Sequence, residues 1–174
     1  LAQLRELFTL KEVRSIKKDL KKSSQKNIEQ TLFNSFGVEC IVPKKYEIVN
    51  NDSAFFWANY DPKKSDEIKN ILIFSFVPKT KNVQAEVLFK TDSVFAKHLI
   101  GLKENSFVRI EQEYPPFYFQ NIYRGLWKLE NGFMGGPFLI KTYFIKNKIV
   151  VNIGLVFDPQ GQKRKHIKEF EAIL

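Results

Sequence analysis

The sequence predicts an α+β domain: a curved, mainly antiparallel β-sheet with helices packed on one face, covering its apolar side. Three observations predict it. Residues 9–36 and 162–174 repeat apolar positions at three- and four-residue steps, the period of a helix. Between them lie short β-branched and aromatic runs separated by Pro, Asn and Gly. Two successive turn signals, Asn131-Gly132 and Asn147-Lys148, join neighbouring runs as hairpins, and hairpin connections make antiparallel pairs. With 174 residues the chain suits one domain. It divides into a leading helical segment (1–36), a sheet with one inserted helix (37–161) and a closing helix (162–174).

The leading segment places Val13, Ile16, Leu20, Ile28, Leu32 and Phe36 on one stripe, interrupted at Ser23-Ser24, so one long helix or two with a break at the serines fits equally. Thr9 and Glu12 have capping-box spacing, and Gly37 stands where a helix stop belongs. VECIV before Pro43, SAFFWANY before Asp61-Pro62 and ILIFSF before Pro78 read as three strands. Asp92 reads as the cap of the inserted helix, with Val94, Phe95, His98, Leu99 and Leu102 on one face and Gly101 weakening its end. The closing helix turns Ile167, Phe170 and Leu174 inward.

The stretch RGLWKLENGFMGGPF, residues 124–138, holds four of the eight glycines and one of the two tryptophans. A tight turn at Asn131-Gly132 pairs Leu129 with Met134, Trp127 with Gly136 and Gly125 with Phe138, so that each large aromatic lies over a glycine. A second turn at Asn147-Lys148 pairs Phe144 with Val151, Thr142 with Ile153, Ile140 with Leu155 and Phe138 with Phe157. One face then carries Trp127, Leu129, Met134, Phe138, Ile140, Phe144, Val151, Ile153, Leu155 and Phe157, an apolar core. The other carries Arg124, Lys128, Glu130, Gly135, Lys141, Tyr143, Asn152, Gly154 and Asp158. That polar face either meets solvent or lines a shallow binding surface where Gly135 and Gly154 leave space beside Lys128 and Lys141. Pro137 lacks the N–H for the ladder, so a bulge, an edge or a one-residue slip is expected there.

Composition narrows the chemistry. A net charge of +9 favours an anionic partner, although only residues 17–26 and 163–168 cluster their cations. The KRKHIK start of the closing helix sets cations where the helix dipole disfavours them, and an anionic partner or a carboxylate such as Asp158 would compensate. The single cysteine, Cys40, excludes an internal disulfide and any zinc site built on two cysteines; alternating with Val38 and Val42, it points inward as an inert thiol. No run is long and apolar enough for a spanning helix, and the start at Leu1 reads as trimmed. Gly135-Gly136 lacks the GxxxxGK[ST] setting of a phosphate loop. His98 and His166 fit core or boundary roles better than a metal site, and no serine sits in a nucleophile elbow. Glu111 and Glu113 share a side of a strand, an acid pair or a solvated edge. Tyr114, Phe117, Phe119, Tyr123 and Trp127 alternate as base-stacking residues would, yet Trp127 belongs to the core and no nucleic-acid module is present. No catalytic residue, metal or cofactor is assigned, and no specific nucleic acid is expected.

RGLWKLENGFMGGPF, the strand pair ending in VFDP and the terminal KRKHIKEFEAIL together resemble a family of Bacteroidota cell-envelope lipoproteins known only as domain of unknown function 4837. The resemblance extends back through VECIVPKKYEIV and the basic helix. It implies a carboxy-terminal half of a longer exported protein, anchored by a lipid outside this chain, and supplies no catalytic residues. The expected function is a non-enzymatic envelope module that binds a protein or an anionic glycan through Arg124, Lys128, Lys141, Tyr143 and Asn152. The alternative is a hydrolase-type enzyme acting on an envelope polymer through carboxylates that sequence alone does not pair.

Overall fold

The computed structural model describes residues 2–174, and side chains from residue 7 onward. Its elements run α1 (Ala2–Lys22), α2 (Lys26–Phe36), β1 (Glu47–Asn51), β2 (Phe55–Tyr60), β3 (Ile68–Phe76), α3 (Val83–His98), β4 (Phe107–Ile110), β5 (Phe117–Phe119), β6 (Ile122–Glu130), β7 (Gly135–Ile145), β8 (Lys148–Phe157) and α4 (Lys163–Ile173). The strands form one curved antiparallel sheet in the order β1-β2-β3-β8-β7-β6-β4, with β5 also on β6. The fold is α+β, with four helices and this sheet.

Helices pack on both faces, however, not on one. The central strands are apolar at both parities: Ile149, Val151, Ile153 and Leu155 of β8 join a core with Val87 and Phe95 of α3 and Leu99 just after it, while Val150 and Val156 join a second core with Phe170 and Ile173 of α4 and Leu32 and Phe36 of α2. β3 divides the same way, Leu72 and Phe74 against Ile71 and Ile73. A strand in the middle of a sheet covered on both sides reads as a nearly continuous apolar run.

The first hairpin keeps the expected register. Gly125 pairs with Phe138 and Trp127 with Gly136, and the Leu129 N–H donates to the Met134 carbonyl at 2.8 Å. Asn131 alone takes a positive φ, 55°, so the connection is not the two-residue type I′ turn. Pro137 faces β6 only, because the β7–β8 ladder begins at Phe138; its missing N–H therefore costs nothing and the register does not slip.

The second hairpin is displaced by two residues. Ile145 pairs with Lys148 across a Lys146-Asn147 turn, so Phe138 meets Leu155, Ile140 meets Ile153 and Phe144 meets Ile149. A two-residue slip leaves every side chain on its own face, whereas a slip of one would invert them all. The apolar assignment therefore survives except at Phe144, which is 72% exposed.

Among the helices, the break at the serines is real: α1 stops at Lys22 and α2 starts at Lys26. Thr9 lies within α1 and caps nothing, because the helix begins well before it. Gly37 ends α2 in the left-handed conformation, φ 73°, its N–H donating to the Phe33 carbonyl at 2.8 Å. The VECIV segment is no strand. It runs extended and buried, Gln25 N–H donating to Val42 O and Ile41 N–H to Ile173 O, so it links α2 to the end of α4. The inserted helix starts nine residues earlier than Asp92, with Asn82 capping the Ala85 N–H; Asp92 lies mid-helix and accepts the Ile110 N–H at 2.7 Å instead.

Candidate functional site

The polar face expected to be open lies under α4. Gly154 leaves no free space: a Cβ there would come within 2.2 Å of the Phe170 ring. Asn152 is 0% exposed, and neither polar atom of its amide finds a partner among the described residues. Tyr143 packs against the α4-face core and donates its hydroxyl to the Leu174 carbonyl at 2.5 Å, the phenol pushed up to about 12 by burial. Asn152 and Tyr143 are thus interior groups, the first wholly and the second largely.

Arg124, Lys128 and Lys141 occupy the flank that α4 leaves uncovered. Arg124 reaches Glu171 of α4 at 2.7 Å and Lys128 reaches Glu111 at 3.5 Å. Lys141 lies over the Tyr143 ring, and burial holds its ammonium below the usual lysine value. In register beside them, Phe117 faces Arg124 and Phe119 faces Ile122, both aromatic rings exposed, at 64% and 56%. The stacking series is split between the two faces, since Tyr123 and Trp127 are buried against α3.

A second setting, with no sequence motif behind it, is a groove of about 230 Å³ at the carboxy-terminal end of α3. Leu99, Ile100 and Gly101 border it, and Trp57, Asn59, Ile68, Asn70, Val108, Trp127, Leu129, Met134, Leu155 and Phe157 line it from five strands and the turn before β7. Both tryptophans of the protein meet here. The polar lining is arranged around one atom: Asn70 Oδ1 accepts from Trp57 Nε1 at 2.8 Å and from Asn59 Nδ2 at 2.9 Å. His98, which also lines the groove, stacks on Phe55 with centroids 4.1 Å apart, and burial and Lys97 hold its imidazole below the ordinary value. It is therefore neutral at pH 7. A larger cleft of about 450 Å³ beside α2 is lined by Lys21, Lys26 and Glu29 among others, and offers no comparable apolar enclosure.

Several ionisable side chains elsewhere are engaged in structure. Lys69, 2% exposed, lies 2.5 Å from Glu67 and 2.6 Å from Glu169; burial opposes its charge, but the two carboxylates outweigh burial and hold the ammonium above the ordinary value. Glu169 also meets Lys45 at 3.1 Å, and these cations outweigh its burial and hold its carboxyl low. His166 Nε2 donates to Asp158 at 2.6 Å, and that bond, with the Gly161 N–H, keeps Asp158 low. Lys163 donates to the Asp158, Pro159 and Gly161 carbonyls, so the helix start is compensated from within. Glu111 accepts the Glu113 N–H, which lowers its carboxyl. Cys40 is buried, its thiol pushed up to about 12 by burial and Glu29. Among the described residues no three ligating side chains gather as a metal site, and no helix is long and apolar enough to cross a membrane.

Among curated proteins there is no match to the chain. The family described as "Domain of unknown function (DUF4837)" matches residues 24–174, from the break between α1 and α2 to the last residue of the closing segment, and the chain belongs to this family.

Proposed function

We propose that this domain is a non-enzymatic binding module of the cell envelope, exported and lipid-anchored through a region outside this chain, and that its binding element is the groove at the end of α3. The envelope setting rests on the likeness of RGLWKLENGFMGGPF and its flanks to envelope lipoproteins. The binding element rests on one observation: an apolar recess of about 230 Å³ in which two tryptophans and a small group of oriented amides converge. The hydrolase alternative has less support, because the carboxyls displaced from their ordinary values among the described residues are all displaced downward, toward the permanently ionised form.

Because Trp57 and Trp127 line the groove and are the only tryptophans, intrinsic fluorescence reads its occupancy directly. A neutral apolar probe, 1-octanol, is expected to shift the emission saturably, and Met134→Lys, which sets a charge at a half-buried rim position, is expected to abolish the shift. Unchanged binding to the variant would remove the groove as the site.

A second reading keeps the flank of Arg124, Lys128 and Lys141 as a surface for an anionic glycan or protein, favoured by the exposed Phe117 and Phe119 in register beside those cations. Retention on a dextran sulfate column, lost in the Lys128→Glu, Lys141→Glu double variant, supports it; equal retention of both proteins opposes it.

A further inference from the structure

The groove is polar at one end and apolar at the other. Sheet order runs β2-β3-β8-β7-β6. Trp57 and Asn59 of β2 and Asn70 of β3 stand at the first end, whereas Leu155 and Phe157 of β8, Met134 before β7, and Trp127 and Leu129 of β6 stand toward the other. Asn70 Oδ1 is saturated by its two donors, which sets the orientation of that amide and leaves Nδ2 as a free donor. Asn59 spends its Nδ2 on Asn70 and keeps Oδ1 as a free acceptor. Neither free group has a partner among the described residues. A donor and an acceptor side by side are the complement of one amide group, whose C=O would face Asn70 and whose N–H would face Asn59.

Two further observations restrict the occupant. No Asp, Glu, Lys or Arg lines the groove, so a charged head would lose its hydration with no counter-ion to replace it. From β3 to β6 the path crosses β8 and β7, three strand spacings or about 14 Å across the sheet, and Leu129 lies four residues further along β6 from Gly125, the position level with Asn70. That is beyond the reach of a single protein side chain, and it suits an unbranched hydrocarbon lying across the strands. We infer that the groove binds a neutral aliphatic amide, its amide group held between Asn59 and Asn70 and its chain laid over Leu155 and Phe157 toward Leu129 and Met134.

This inference rests on the groove being a binding site at all, and the experiment separates the two. The intact chain is titrated with octanamide, butanamide, octanoate at pH 8 and 1-octanol, read by tryptophan fluorescence and calorimetry. Octanamide is expected to bind about a hundredfold more tightly than butanamide, from four additional buried methylenes. It is also expected to bind at least about tenfold more tightly than octanoate, whose head is charged. Asn59→Leu is expected to weaken octanamide about fivefold while leaving 1-octanol unchanged; Asn59→Ser serves the same purpose if the leucine variant does not fold. Octanoate binding as tightly as octanamide, or an Asn59 variant that weakens octanamide and 1-octanol equally, overturns the amide assignment and leaves the groove standing. Butanamide binding as tightly as octanamide overturns the chain path. Failure of all four probes to bind removes both readings.

Discussion

The two faces of the sheet are covered by helices in different ways. Against one face, α4 is held by placed polar contacts: Lys69 between Glu67 and Glu169, Arg124 on Glu171, His166 on Asp158, and the Tyr143 hydroxyl on the Leu174 carbonyl. Lys168 extends the same set to Glu12 of α1. Against the other face, α3 lies on Val87 and Phe95, with Leu99 just after it and Phe95 edge-on to Phe138, and its one ion pair among the described residues, Asp92 with Arg109 at 3.6 Å, sits at the rim. Apolar contact is non-directional and tolerates an incomplete fit, so α3 can end short and leave a groove. Paired charges removed from water must meet in one geometry, so the face under α4 is closed.

Gly154→Val attacks the closed face where it is tightest. Because a Cβ there overlaps the Phe170 ring, the variant is expected to lose about 3 kcal/mol or more in a denaturant titration. Cys40, buried in the same core, gives an independent readout: a thiol reagent should label the native protein only through unfolding, and Gly154→Val should accelerate it. A variant as stable as the parent would mean that α4 does not press on β8.

Glu169→Gln tests whether charge placement holds α4. Lys69 would keep Glu67 as its only carboxylate, at an expected cost of about 3 kcal/mol. The pH dependence has a definite sign. Glu169 and Asp158 are held below their ordinary values of 4.5 and 3.8, so their contribution is complete above those values and disappears as pH falls through the lowered ones. Lys69 is held above 10.5, so its contribution is complete below that value and is lost only as pH rises through the raised one. The acid limb of the stability profile should therefore be shallower in Glu169→Gln, and an unchanged limb would assign acid sensitivity elsewhere.

On the α3 face the corresponding change is milder. A methyl group on Gly125 would come within 2.6 Å of Phe138 Cζ, the end of a side chain that can shift, so Gly125→Ala is expected to cost about 1–2 kcal/mol. A loss as large as that of Gly154→Val would erase the contrast between the faces. Smallest of all should be Lys128→Gln on the uncovered flank, within about 0.5 kcal/mol by thermal melting, since its contact with Glu111 is long and half exposed.

Much of the sheet was legible in the chain. Asn131-Gly132 and the alternation around it place Trp127 over Gly136 and Phe138 over Gly125, and the structure keeps both pairs. The inward Cys40 and the inward Phe170 and Leu174 follow from period alone. The second turn was not legible, because frames two residues apart satisfy the same alternation and only packing against β3 and α3 selects one. Nor was the start of α3, since Asp92 has the look of a cap but finds the Ile110 N–H on a strand 18 residues away. The groove had no signature at all: Trp57, Asn70, Trp127 and Met134 come from separate elements and share no spacing.

By itself, then, the sequence determined which side chains share a face, because a strand's two-residue period is a local property of the backbone. Only the tertiary structure decided what covers each face. The polar side of β7 and β8 would have met solvent had not α4 brought Glu169 to Lys69 from 100 residues away, with Asn152 buried, Gly154 beneath Phe170 and Arg124, Lys128 and Lys141 left at the margin. Such a contact depends on where two distant elements come to rest, and no local spacing encodes it.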